Sequence, residues 1–167
     1  RDHRHSVDLE LLNNAMNSLA NLARKLDKAK DLATLRGIEG QAANVYFGAF
    51  NQLILNQKEE FKMTERSRRP PLDRINAMLS FLYTLLVHEV VAALESIGLD
   101  PQAGFLHRNR PGRPSLALDI MEELRSHFAD RLAVTLINRN QVTASNFIIK
   151  ENGTVLMDEQ ARREVLT

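Results

Sequence analysis

Three carboxylates, Asp119, Glu122 and Glu123, are spaced at i, i+3 and i+4 within a helical pattern, so all three can share one helical face. Acids this close repel one another, and past the first turn the helix dipole does little for them. A divalent cation would relieve the repulsion. Together with the imidazole of His107, carboxylate oxygens suit a hard or borderline ion such as Mg²⁺ or Mn²⁺. The alternative is a solvated acidic face balanced by nearby arginines.

The segment that carries His107 reads as a loop rather than a helix. Asp100-Pro101 is a turn-starting pair. Pro114 lacks an N–H and restricts the residue before it, which excludes helix from the end of the loop. Ser115 is then placed as the N-cap of a helix predicted over residues 115–138.

A fourth carboxylate, Glu39, lies between Gly37 and Gly40 in a helix predicted over residues 31–56. Each mid-helix glycine costs about 1 kcal/mol relative to alanine, so the pair calls for a reason. Glycines on both sides remove side-chain bulk and would let another backbone or a ligand approach the carboxylate. The alternative is a surface residue beside a helix break.

Arginines gather in two loops of the chain. They are Arg66, Arg68 and Arg69 ahead of Pro70-Pro71, and Arg108, Arg110 and Arg113 after His107. The planar guanidinium group suits phosphate oxygens, although a solvated connector is an equal alternative for the first loop. The basic start of the chain, residues 1–5, could also touch phosphate, with a solvated tail as the alternative.

The elements that must position these residues are mainly helical. Helices are predicted over 6–30, 31–56, 72–97 and 115–138, a β-hairpin with an Asn-Gly turn over 147–157, and a terminal helix over 158–167. Ser6, Asp31 and Asp158 are placed as N-caps. The helix over 72–97 is apolar nearly all round, which favours the centre of a bundle, and its His88 is expected to be a satisfied core or boundary residue. The fold class is therefore mainly α, a multi-helix bundle with a small hairpin near the C-terminus.

Composition sets further limits on the class of protein. The 167 residues carry 44% hydrophobic and 26% charged side chains and a net charge of +1, so the global charge neither favours nor opposes nucleic acid. The chain has no cysteine, which excludes disulfides, thiolate metal sites and cysteine nucleophiles. No membrane span or signal peptide is expected. Because the chain begins at Arg1 rather than Met, it is expected to be a fragment.

Three ordered stretches resemble one known family. They are Leu35-Arg36-Gly37-Ile38-Glu39-Gly40, the segment 73–83, and the run 98–125 with its Gly104-Phe105-Leu106-His107 and Arg113-Pro114-Ser115 wording. The family is the CRISPR-associated adaptation integrase, the metal-dependent DNase and integrase that inserts new spacers. The resemblance covers nearly the whole chain, and its wording is most like the type I branch.

The resemblance implies roles for particular residues. Glu39, His107 and Glu122 would be the ligands of Mg²⁺ or Mn²⁺, although the family often has Asp at the third position. Asp119 matches a second acidic position that assists or bridges through water, with Arg125 at a basic position near the scissile phosphate. If the register differs by one, Glu123 would replace Glu122 as the ligand. The arginines of the two loops would hold the DNA backbone.

The resemblance also implies partners and a domain. Residues 1–167 would be the helical catalytic domain of a cytoplasmic enzyme, without the N-terminal β-domain through which family members form homodimers. Expected partners are DNA, as spacer precursor and CRISPR repeat, and the small adaptation partner protein, with no membrane. The expected reaction is phosphodiester hydrolysis and strand transfer. The alternatives are a non-catalytic helical nucleic-acid-binding module and a scaffold for partner proteins.

Overall fold

The structure, a computed structural model, describes residues 7–107 and 110–166. In chain order its elements are α1 (Leu9–Leu26), α2 (Leu32–Ala49), a 3₁₀ turn (Phe50–Leu53), α3 (Arg74–Ser96), α4 (Ser115–Leu124), a π turn (Arg125–Asp130), α5 (Arg131–Asn138), a second 3₁₀ turn (Ala144–Asn146), β1 (Phe147–Ile149), β2 (Val155–Met157) and α6 (Glu159–Leu166). The predicted mainly α fold with a C-terminal hairpin is confirmed.

Aspartate caps begin several of the helices. Asp31 accepts a hydrogen bond from the N–H of Thr34 at 2.7 Å, and Asp158 accepts one from Ala161 at 2.7 Å, so both predicted caps are confirmed. The predicted cap Ser6 lies outside the described residues. The first helix begins at Leu9, where Asp8 is the cap. Each cap satisfies a backbone donor that the helix itself leaves open.

The predicted N-cap at Ser115 is wrong. Pro114 occupies the cap position without a side-chain hydrogen bond, and Ser115 is the first helical residue and is fully buried. Its burial follows from the loop that folds over it. A Cβ atom built on Gly104 would lie 2.6 Å from the Cβ of Ser115 and 2.7 Å from its carbonyl carbon. That contact is tertiary, so residue type alone did not reveal it.

The helix predicted over 115–138 begins and ends at those residues, but it is not α-helical throughout. It is divided into α4, the π turn Arg125–Asp130 and α5. The helix predicted over 31–56 likewise ends at Ala49 and passes into a 3₁₀ turn. Apolar periodicity locates a helix but does not detect one widened turn within it.

α3 is the centre of the core, as predicted. Its Ile75, Met78 and Leu79 are fully buried and pack in one cluster with residues of the 3₁₀ turn, α5 and the hairpin. His88 departs from the prediction, because it is exposed on this helix. The hairpin pairs antiparallel, with Phe147 opposite Met157.

α3 is also long and apolar enough to cross a membrane by length and composition, which the sequence analysis did not anticipate. The core helix of a water-soluble domain passes the same test. Here the helix packs against α4, the π turn, α5 and β2, so part of its apolar surface is covered within the fold.

Candidate active site

The His107 loop is held to α4 by one buried carboxylate. Asp119 is 3% exposed, and its Oδ2 accepts hydrogen bonds from the backbone N–H groups of Phe105 at 2.6 Å and Leu106 at 2.9 Å. Its Oδ1 accepts the backbone N–H of His107 at 2.9 Å. Burial acts to raise the pKa of Asp119, but the hydrogen bonds from Leu106 and His107 outweigh it and keep this pKa below its usual value. The carboxylate therefore stays ionised and organises the loop.

The same carboxylate orients the imidazole ring. Oδ1 of Asp119 also lies 2.6 Å from Nδ1 of His107, whose side chain is 22% exposed. Because an ionised carboxylate can only accept a hydrogen bond, Nδ1 carries the ring N–H and donates a hydrogen bond to Oδ1. Nε2 then offers its lone pair. A carboxylate on the far nitrogen is the usual way in which a metal-binding histidine is fixed in tautomer and direction.

Glu39 and His107 line the same open cleft, which has a volume of about 360 Å³ and is also lined by Arg36, Leu106, Arg110 and Arg113. Arg36 joins the cleft's two sides, because its Nε donates to the carbonyl of Leu106 at 2.9 Å. Arg36 lies within the stretch 35–40 that contains Glu39, and no role was predicted for it from the sequence.

The two glycines beside Glu39 border open space. A Cβ atom added at Gly37 or Gly40 would meet no atom within 4 Å, and Glu39 itself is exposed. No other described backbone approaches these positions. The surroundings of Glu39 thus leave room for a ligand, while the predicted close approach of another backbone is not seen among the described residues.

Glu122 is paired with an arginine of its own helix rather than with His107. Nη1 of Arg125 donates to both of its oxygens, at 2.7 and 2.5 Å, and the two side chains are 28% and 18% exposed. Glu123 is exposed. Across residues 7–107 and 110–166, no three His, Cys, Asp or Glu side chains lie close enough to hold a metal ion together.

The donor atoms nevertheless fit a divalent cation in kind. The cleft offers an oriented imidazole nitrogen at His107 and a solvent-accessible carboxylate at Glu39, a combination suited to Mg²⁺ or Mn²⁺. Glu122 would join them only after leaving Arg125. The structure therefore brings two of the three predicted ligands to one cleft and holds the third in an ion pair.

The predicted DNA-binding arginines differ in how exposed they are and in what they contact. Arg110 and Arg113 line the cleft, Arg68 and Arg69 are exposed, and Arg108 lies outside the described residues. Arg66 is partly buried, with Nη1 donating to the carbonyl of Ser67 at 2.9 Å and to Oδ1 of Asn76 at 2.5 Å. Burial lowers the pKa of its guanidinium. Arg66 thus anchors its own loop.

A buried aspartate near Arg125 and the two tyrosines that bind it, Tyr83 buried and Tyr46 half-buried, were missed. Tyr46 and Tyr83 both bind the carboxylate of Asp130, and the Arg125 guanidinium lies over the ring of Tyr83. The available signal was two charged residues, Asp130 and Arg131, in the apolar stretch 128–136 and a tyrosine hydroxyl in each of two apolar helices. Buried hydroxyls and carboxylates require partners, and these could have been paired with one another.

Comparison with known proteins places these features in context. The sequence profile of the family described as CRISPR associated protein Cas1 matches residues 1–167. A CRISPR-associated endonuclease Cas1 from Chlorobaculum tepidum is 53% identical over 167 residues, which is 100% of this chain and 49% of that protein. One from Rhodospirillum rubrum is 55% identical over 154 residues, or 92% and 45% of the two chains. The chain thus spans about half the length of the curated relatives it matches.

Solved structures give the same result. A Cas1 protein from Thermotoga maritima superposes with a TM-score of 0.82 at 30% identity, covering 90% of this chain and 47% of that one. A casposase bound to its integration product superposes with a TM-score of 0.79 at 29% identity, covering 88% and 43%. A chain of a partial Cas6-RT-Cas1–Cas2 complex reaches 0.85 at 30% identity, covering 98% and 49%.

Proposed function

This chain belongs to the CRISPR-associated Cas1 family, and we propose from that premise that it is the catalytic domain of a metal-dependent DNA endonuclease and integrase of CRISPR adaptation. The observation that carries the proposal is the Asp119–His107 pair. It presents an oriented imidazole nitrogen to a cleft that also contains Glu39 and three arginines. Relatives named as endonucleases and a neighbour bound to an integration product support this reading.

Glu39, His107 and Glu122 would hold the divalent cation, Mg²⁺ or Mn²⁺. When bound, the cation supplies charge stabilisation at a phosphoryl oxygen during an in-line displacement. Asp119 keeps His107 in the tautomer that offers Nε2. Arg125 holds the Glu122 carboxylate through Nη1. Once that carboxylate binds the cation instead, Nη1 would be free to donate to a phosphate oxygen.

The DNA itself provides the reacting groups. The 3′-hydroxyl oxygen of the incoming strand bonds to a phosphorus of the target strand, and the target's own P–O3′ bond breaks. The attacking hydroxyl loses its proton to solvent, and the departing 3′ oxygen gains a proton from solvent. With water in place of the hydroxyl the same displacement is hydrolysis. Arg110 and Arg113, which line the cleft, would hold the DNA backbone, mostly without reading sequence.

The remaining expectations belong to the same proposal. The substrates would be spacer precursor and CRISPR repeat DNA, in the cytoplasm. The protein would act as a homodimer with the small adaptation partner, and two structural neighbours whose names include both Cas1 and Cas2 support that partner. The assignment to the type I branch remains a prediction from motif wording.

The test offers the intact protein a branched DNA that mimics a half-integrated spacer, with Mn²⁺ or Mg²⁺ and with EDTA as a control. The readout is rejoining of the target strand with release of the branch. We expect Glu39→Ala, His107→Ala and Glu122→Ala to abolish rejoining while DNA binding survives. Glu123→Ala is the matched control, because it removes an exposed carboxylate from the same helix and should remain active.

Two outcomes would contradict the proposal. If the protein binds the branch but never rejoins it with either divalent ion, the non-catalytic binding module is correct. If the Glu39→Ala and His107→Ala variants keep full activity, the ligand assignment is wrong. Equal losses in Glu122→Ala and Glu123→Ala would contradict the register of the third ligand.

A further inference from the structure

A buried carboxylate at the end of the π turn is bound by two tyrosines. Asp130 is 3% exposed. Its Oδ2 accepts the hydroxyl of Tyr46 at 2.9 Å, and its Oδ1 accepts that of Tyr83 at 2.5 Å. Burying a carboxylate costs free energy that an apolar residue of similar volume would avoid. Stability alone therefore does not explain Asp130.

The π turn explains how Asp130 and Arg125 reach the same tyrosine. Arg125 is the first residue of the turn and Asp130 is the last, five positions later. In an α-helix with 3.6 residues per turn, such residues would point about 140° away from each other. A π turn closes with i→i+5 hydrogen bonds, which brings the fifth residue back toward the side of the first. Asp130 therefore meets the hydroxyl of Tyr83, and Arg125 meets its ring.

The ring of Tyr83 is a flat support for the Arg125 guanidinium. The Cζ atom of Arg125 lies 4.5 Å from the ring centroid, well within the range of a cation–π contact. The same guanidinium donates through Nη1 to Glu122. Its Nε is buried and has no hydrogen-bond partner among the described residues. If Glu122 leaves Arg125, the Tyr83 ring is the contact that remains.

We propose that Asp130 and Tyr83 are positioning residues for Arg125. Asp130 fixes the hydroxyl of Tyr83, and the fixed ring holds the guanidinium in place whether or not Glu122 is bound to it. Arg125 can then release the Glu122 carboxylate and present Nη1 to a phosphate oxygen while its guanidinium stays on the Tyr83 ring. The catalytic benefit rests on the proposed function, whereas the immobilisation of Arg125 by Tyr83 does not.

Tyr46 supplies a matched control within the same cluster. Its hydroxyl binds the oxygen of Asp130 that Tyr83 does not use, and its ring is in contact with Phe47 and Phe50 rather than with Arg125. Tyr46→Phe and Tyr83→Phe each delete one hydroxyl from one buried carboxylate. Only the second deletion loosens the ring beneath Arg125.

The first measurement is ¹⁵N relaxation of the Arg125 Nε–H group, which reports guanidinium motion without any catalysis. We expect faster motion in Tyr83→Phe and Asp130→Asn, a larger increase in Tyr83→Leu, and wild-type motion in Tyr46→Phe. Unchanged motion in Tyr83→Phe, or an equal increase in Tyr46→Phe, would overturn the proposal. If Asp130→Asn fails to fold, the Tyr83→Phe and Tyr46→Phe pair decides the question.

The second measurement is strand transfer by the intact protein. A misplaced catalytic group lowers the rate roughly ten- to a hundredfold, so Tyr83→Phe should lower kcat with little change in KM for DNA. In an Arg125→Ala background the same substitution should have no further effect, and a full further loss would overturn the proposal. If wild-type protein shows no strand transfer, the proposed function fails, and the relaxation data still decide the role of Tyr83.

Discussion

Asp119 illustrates at the scale of one residue how sequence spacing can locate a carboxylate without identifying its hydrogen-bond partners. The i, i+3, i+4 spacing predicted that it would share a face, and a cation, with Glu122 and Glu123. In the structure its two oxygens accept three backbone N–H groups and the Nδ1–H of His107. In the proposed metal site, a carboxylate engaged in this way would orient His107 rather than bind the cation itself.

We expect Asp119→Asn to weaken Mn²⁺ binding about 10- to 100-fold, the usual effect of losing a histidine's outer partner. An amide has one acceptor oxygen and presents an NH₂ group to the remaining N–H donors. It therefore leaves buried donors unpaired, which costs about 1–3 kcal/mol of folding free energy. Mn²⁺ affinity is measured by electron paramagnetic resonance and the His107 tautomer by ¹⁵N NMR.

Glu123→Gln is the control for Asp119→Asn, because it removes the same charge from an exposed position of the same helix. It should leave both Mn²⁺ affinity and the His107 tautomer unchanged. Equal Mn²⁺ affinity in the two variants would show that Asp119 does not orient His107.

At the scale of elements, local signals predicted most of the architecture. Aspartate caps began α2 and α6, Asn152-Gly153 formed the hairpin turn with Gly153 at φ 79°, and the most apolar run became the core helix. The attachment of the His107 loop and the π turn were not predicted, because both involve contacts between residues far apart in the sequence. The loop is held by a carboxylate twelve or more residues away, and the first and last residues of the π turn, Arg125 and Asp130, both contact Tyr83 of another helix.

Gly104 is where the loop meets α4, and we expect Gly104→Ala to destabilise the domain. The added Cβ atom would lie 2.6 Å from the Cβ of Ser115, 2.7 Å from its backbone carbonyl carbon and 3.0 Å from an Asp119 oxygen. The two Ser115 atoms belong to the backbone or are attached directly to it, and the Asp119 oxygen is held by two backbone N–H groups. The loop must therefore shift, at a cost of about 1–3 kcal/mol. The measurement is urea unfolding followed by circular dichroism.

Gly37→Ala is the control for this substitution. Its new Cβ atom would meet nothing within 4 Å, and alanine is favoured over glycine in a helix by about 1 kcal/mol. Its urea midpoint should therefore rise. A Gly104→Ala midpoint equal to or above that of wild type would show that the loop does not pack tightly on Ser115.

For the molecule as a whole, Asp130 should leave a signature in the pH dependence of stability. Burial raises the pKa of its carboxyl above the ordinary value of 3.8, despite the opposing hydrogen bonds from Tyr83 and Tyr46. The folded state then binds a proton more readily than the unfolded state. Stability from this group therefore grows as the pH falls through the folded pKa toward 3.8, and it is lost again as the pH rises.

The test compares the free energies of urea unfolding of wild type and Asp130→Asn between pH 7 and pH 4. Their difference should shift in favour of wild type as the pH is lowered. The half-buried Asp73, whose pKa burial also raises, is present in both proteins, so its contribution cancels. A difference that stays constant, or shifts the other way, would mean that Asp130 titrates as it does in the unfolded chain.

The balance of charge over the whole molecule makes DNA binding a local property. With a net charge of +1, the chain has little overall attraction for a polyanion, so affinity must come from clustered arginines such as those of the cleft. Neutralising one phosphate contributes about 0.9 to the slope of log K against log salt concentration.

We therefore expect Arg113→Gln to weaken DNA binding for all sequences and to lower that slope by about one. Lys150→Gln, at an exposed position beside the hairpin, changes the net charge equally and should leave the slope unchanged. Salt titrations of both variants by fluorescence anisotropy separate the loss of a phosphate contact from the change in net charge. Equal slopes for the two variants would mean that the DNA does not bind in the His107 cleft.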